Sequence, residues 1–147
     1  MMKSLARWML LTALTLATVA GSAAVAPGVS DGDARAVRGI IRAQLEALAA
    51  GDAALAFSYA SPSIRMQFGD ARSFMTMVIQ GYPMVIGPVQ VAFFRPEVFQ
   101  DTVMQDVYLR DQAGRSWLAT YQLQPQSDGS WRINGCSVLP GDGKALT

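Results

Sequence analysis

Along the first third of the chain, apolar residues recur three and four positions apart. Val37, Ile40, Ile41, Leu45 and Leu48 fall on one helical face, and Arg35, Arg38, Arg42 and Glu46 avoid it. This spacing predicts a helix from Asp31 to Ala50. Ser30, Asp31 and Asp33 offer capping oxygens and negative charge to its first turn, and Gly51 ends it. Asp52 can cap a second, short helix, AALAFSYA, in which Leu55 and Tyr59 lie one turn apart. Ser61-Pro62 restarts the chain, because proline suits the first turn of a helix, and SIRMQF follows as a short turn up to Gly69. Asp70 then caps a helix through Gln80 with Phe74, Met75, Val78 and Ile79 as its expected buried stripe, closed by Gly81, Tyr82 and Pro83.

After Pro83 the period changes to two. Val89, Val91 and Phe93 alternate with Gln90 and Ala92, and Pro96 ends or bulges that run. Val103, Val107 and Leu109 alternate with Met104, Asp106, Tyr108 and Arg110. Trp117, Ala119, Tyr121 and Leu123 alternate with Leu118, Thr120, Gln122 and Gln124. Trp131 and Ile133 alternate with Arg132 and Asn134. DQAGR and QSDGS between the later runs read as hairpin turns, with Gly114 and Gly129 at the positive-φ positions. Helices first and an antiparallel meander afterwards define an α+β fold, with N-terminal helices packed on a curved antiparallel sheet. Strong curvature would leave an apolar hollow between the two layers. Alternation does not fix which face of the sheet points inward.

Ahead of the first helix, MMKSLARWMLLTALTLATVAGSAAVAP has the layout of a secretory signal peptide: Lys3 and Arg7, an apolar stretch from Trp8 to Ala20, then small residues. That stretch is shorter than the roughly 18–20 residues of a spanning helix. Two cleavage sites compete, after Ala26 or after Ala24. The first would leave Pro27 as the new N-terminus, so the cut after Ala24 is preferred. The expected organisation is a signal peptide at residues 1–24, a flexible lead-in at 25–30, a single α+β domain at 31–139 and a C-terminal tail at 140–147. The expected location is the periplasm or the medium, with membrane contact only through an uncleaved leader.

The chain has 147 residues, 51% of them apolar, enough for one domain with a real core. Without Lys3 and Arg7 the 12 basic residues fall to 10 against 11 acidic ones, a net charge of −1. That balance argues against nucleic acid as a partner, which requires a positive excess.

Several segments resemble a known family. These are the run IIRAQLEALAAGDAALAFSYASPSIRMQFGDARSFMTMV, a Tyr-Pro soon after it, and the closing DGSWRINGC. The strongest matches are Gly51-Asp52, Ala56-Phe57 to Ser61-Pro62, Phe74 with Met77-Val78, and Trp131-Arg132-Ile133 with Gly135-Cys136. Together they resemble a family of exported bacterial proteins known only as a domain of unknown function. The layout is similar to the nuclear-transport-factor-2-like, cystatin-like superfamily. The resemblance implies a cone-shaped fold, often dimeric, whose hollow is a pocket in many relatives. Those relatives include ketosteroid isomerases, dehydratases and non-enzymatic binding or assembly modules, so the fold leaves function open.

The chain contains no histidine and one cysteine, Cys136. Ser-His-Asp and Cys-His catalysis and histidine-ligated metals are thereby excluded. There is no P-loop or dinucleotide glycine pattern, so no cofactor is expected. Asp31-Gly32-Asp33 hints at a calcium loop, but the twelfth position, where such a loop needs Glu, is Arg42. No metal site is expected.

Tyr59, Tyr82, Asp106, Trp117 and Tyr121 are the candidate pocket residues, because tyrosine, tryptophan and an acid in an apolar hollow can orient a ligand. Each also has an ordinary structural role: the aromatics as core, and Asp106 as a solvated or ion-paired strand residue. Cys136 shares a face with Arg132 under strict alternation. A bulge at Gly135 would flip it to the apolar face, as a buried free thiol; a disulfide to another chain and a reactive thiol stabilised by arginine are the alternatives. Three functions follow in order of preference. The first is a non-enzymatic module binding a small apolar ligand or a partner protein. The second is an isomerase- or dehydratase-type enzyme using Tyr and Asp, which needs Asp106 or another acid inside the hollow. The third is an assembly role as a homodimer through the outer sheet face.

Overall fold

The computed structural model describes residues 28–141. The expected leader and both expected cleavage positions lie outside the described residues. Four helices, α1 (Asp31–Ala49), α2 (Ala53–Ser58), α3 (Pro62–Phe68) and α4 (Ala71–Gly81), lead through a single 3-10 turn at Pro83–Val85 into five strands. The strands are β1 (Gln90–Phe93), β2 (Glu97–Phe99), β3 (Thr102–Arg110), β4 (Ser116–Pro125) and β5 (Trp131–Pro140). The fold is α+β, with the helices against one face of a curved, open antiparallel sheet.

Each helix begins where a side-chain oxygen takes up an otherwise orphaned backbone N–H. Ser30, Asp52, Ser61 and Asp70 accept from Asp33, Leu55, Ile64 and Ser73 respectively. Pro62 follows its cap at a position where its missing N–H costs nothing. Helix α1 buries Val37, Ile41, Leu45 and Leu48 and, among them, Gln44. The predicted stripes of the later helices are only partly buried. Phe74 and Val78 face the core, whereas Ile79 and Leu55 are exposed and Ala56 takes the core position in α2.

Strand order is β1-β3-β4-β5, with β2 also on β3. β1 pairs with the C-terminal half of β3 and β2 with its N-terminal end, so the two together form one interrupted edge. Pro96 sits in the break, which explains the interruption: it cannot donate to the ladder. β2 is absent from the sequence expectation, because three residues are too few to show alternation. Asp101 lies in the β2–β3 turn beside Gln100, which has φ 54°. The β3–β4 and β4–β5 turns use Gly114 and Gly129 at φ 81° and 83°.

Register decides which side chains meet the helices. Val103, Gln105, Val107 and Leu109 of β3 lie opposite Leu123, Tyr121, Ala119 and Trp117 of β4, and this is the helix-facing side. On β5 the pairing shifts: Leu123 pairs with Ile133, but Gln122 pairs with Gly135, which leaves Asn134 as an extra residue. Such a bulge reverses the alternation. Ile133 and Cys136 therefore both point to the core side, with Cys136 opposite Tyr121. The bulge is tied to the helices. Ser61 Oγ donates to Asn134 Oδ1 at 2.7 Å, Ser61 N donates to the Ile133 carbonyl, and Ile133 N donates to the Tyr59 carbonyl. β5 runs through Pro140, so the residue expected to open a tail still belongs to the sheet.

Candidate functional site

A cavity of about 210 Å³ lies between the helices and the bulged end of the sheet. Leu48 of α1, Phe74 and Val78 of α4, Val85 and Ile133 form much of its wall and are buried. Phe74 is held by Phe57 at 5.5 Å between ring centroids and by Phe68, edge-on, at 5.9 Å. The rim is more open, with Gln67 exposed and Phe68 and Tyr82 half-buried. Every lining residue is uncharged.

Two polar side chains reach the cavity from its most buried walls. Gln44 is 5% exposed, and its Nε2 donates to the Ala56 carbonyl at 3.2 Å. Tyr121 is 2% exposed, and its hydroxyl adjoins the Cys136 thiol. Burial holds the Tyr121 hydroxyl well above its ordinary range, with the neighbouring thiol acting in the same direction. Burial also raises the Cys136 thiol from about 9 to about 12, although the Tyr121 hydrogen bond opposes the rise. Both groups stay protonated at neutral pH. A thiol held this way is a poor nucleophile, because the thiolate is the reactive form.

The structure brings Tyr82, Tyr121 and Cys136 of the sequence candidates to the cavity. Three others lie elsewhere. Tyr59 ends α2, and its carbonyl, not its ring, makes the tie to β5. Asp106 is on the opposite face of the sheet, where its Oδ1 accepts from Thr120 Oγ1 at 2.6 Å. The reason is register: its neighbours Gln105 and Val107 point inward, so Asp106 must point out. Trp117 serves the β3–β4 turn. Its indole N–H donates to Asp111 Oδ2 at 3.0 Å, and the Arg115 guanidinium lies 5.6 Å above its ring.

Asp111 also accepts from the backbone N–H groups of Ala113 and Arg115 and from Arg115 Nε. The Trp117 hydrogen bond leads the causes that hold its carboxyl below the usual carboxylate range. This is turn chemistry, remote from the cavity. Among the described residues no acid lines the cavity, so the acid–tyrosine pair of isomerase-type proton transfer is not assembled there. No group of three or more His, Cys, Asp or Glu among the described residues could hold a metal ion.

Gln44 escaped the sequence reading. Its signal was present: a glutamine three residues after Ile41 and four before Leu48, inside the apolar stripe of α1.

The chain matches the model of a family described as Domain of unknown function (DUF4864) over residues 30–146, and it belongs to that family. Comparison with curated proteins and with solved structures found no match.

Proposed function

We propose that this protein is an exported, non-enzymatic module that holds one small, uncharged, mainly apolar molecule between its helices and its sheet. The single observation that carries this reading is the lining: an apolar hollow with no charged side chain. An ionised ligand would lose its hydration there and gain no counter-charge, which is prohibitive. A hollow of about 210 Å³ is the size class that accepts one aromatic ring with small substituents.

Export is supported by the leader pattern of residues 1–24. The order of helices and then a curved sheet around a hollow supports kinship with the nuclear-transport-factor-2-like superfamily.

The test has two arms. The full chain is expressed with its leader, and the product in the export compartment is weighed by native mass spectrometry. A mass lacking the first 24 residues is expected, and a full-length chain retained in the cytoplasm would refute export. The purified protein is then titrated with toluene and followed by methyl and aromatic NMR. Shifts at Leu48, Val78 and Phe74 are expected. Spectra unchanged up to toluene saturation would refute the binding reading.

A further inference from the structure

The buried end of the cavity has unused hydrogen-bonding capacity. Gln44 uses its Nε2 on the Ala56 carbonyl, a group that needs a donor, and this fixes the orientation of the carboxamide. Among the described residues its Oε1 accepts no hydrogen bond, and Gln44 is one of the residues that line the cavity. Tyr121 lines the same cavity; its hydroxyl can donate and accept, yet its neighbour is the Cys136 thiol, a weak partner. Both side chains are more than nine-tenths buried, whereas Gln67 and Tyr82 at the rim are not. The polarity of this hollow is therefore deepest where an apolar pocket would ordinarily be driest.

Resting on the binding reading above, we infer that the ligand is a small apolar molecule bearing one neutral hydroxyl, seated hydroxyl-first against Gln44 and Tyr121 with its hydrocarbon body toward the rim. A hydroxyl matches the pair because it can donate to Gln44 Oε1 and accept from the Tyr121 hydroxyl. A carboxylate fails because no cation lines the cavity and two acceptors, Oε1 and the carboxylate, would face each other. A plain hydrocarbon fits the walls but leaves the two protein groups without partners.

Three matched probes separate this inference from the parent reading: toluene, p-cresol and p-toluate, each titrated into the full-length protein at neutral pH by calorimetry. In a hollow without partners, p-cresol would bind about tenfold or more weakly than toluene, because its hydroxyl would be desolvated uncompensated. The expectation here is that p-cresol binds at least as tightly as toluene and that p-toluate does not bind. Tyr121→Phe should keep toluene binding and shift the cresol-to-toluene preference about tenfold toward toluene.

Toluene binding with p-cresol tenfold weaker would overturn the hydroxyl inference and leave the apolar-cavity reading standing. An unchanged preference in Tyr121→Phe would overturn the assigned role of Tyr121. Failure of toluene and p-cresol alike would overturn both readings. The wild-type comparison requires no variant, so a folding defect in Tyr121→Phe cannot shield the proposal.

Discussion

The two faces of β3, β4 and β5 come from the same alternating runs and manage polar groups in opposite ways. On the outer face several polar groups find partners: Thr120 donates to Asp106 across the strands, the Tyr108 hydroxyl bonds Ser116 at 2.8 Å across the β3–β4 pair, and it accepts from Arg110 two residues along its own strand. Water remains close, and a carboxylate is tolerated. On the helix-facing side the polar residues are neutral, Gln105, Tyr121 and Cys136, and their hydrogen bonding is incomplete. Gln105 donates twice, to the Phe94 and Asp106 carbonyls, while its buried Oε1 has no partner. Charge follows solvation, and unused polarity survives where burial has already removed the charge. The apolar hollow lies on the second face and not on the first.

The largest expected difference between the faces is in packing. Leu123 is fully buried and Leu139 is 65% exposed, on opposite sides of the sheet. Leu123→Ala should cost about 2–5 kcal/mol in denaturant unfolding, and Leu139→Ala less than about 0.5 kcal/mol. Similar losses from both would mean that the outer face is covered in solution, and would favour the homodimer.

Reactivity at Cys136 sharpens the contrast at a smaller scale. With its thiol near 12, the native protein should resist iodoacetamide at pH 8 and label fully once unfolded. The same shift sets a pH dependence. The folded value lies above the ordinary 9, so the contribution of Cys136 to stability is complete below about pH 9 and is lost as pH rises toward 12. Rapid labelling of the folded protein would show that the bulge does not hold this residue inward.

The smallest effect is expected on the polar outer face. Thr120→Val removes one hydrogen bond to Asp106 and should lower stability by no more than about 1.5 kcal/mol. Toluene binding should be untouched, since the pair lies across the sheet from the cavity. A change in toluene affinity would mean that the faces are coupled.

Much of this architecture was legible because its signals are local. Ser30, Asp52, Ser61 and Asp70 announced four helix starts, and Gly114 and Gly129 announced two hairpins, since caps and positive-φ turns depend on a few neighbouring residues. β2 was not legible, because the pairing of Glu97–Phe99 with β3 depends on a partner strand and not on any pattern of its own. The site was legible only in part. Tyr82 and Tyr121 were identifiable as aromatic residues with polar tips, and Gln44 as an anomaly in an apolar stripe. That Asp106, Tyr59 and Trp117 would be drawn elsewhere was not.

By itself, then, the sequence determined the helices, the meander, the turns and the absence of histidine chemistry. Tertiary structure alone decided which face of the sheet is inside. On β5 it did so through one residue left out of the ladder, Asn134, tied to Ser61 at the start of α3. In a strand the side-chain period is two, so a single extra residue exchanges inside for outside for everything beyond it. Cys136 faces the core beside Tyr121 for that reason, through a contact between residues 73 apart in the chain, whereas Asp106 faces outward because the inward-pointing Gln105 and Val107 flank it on β3.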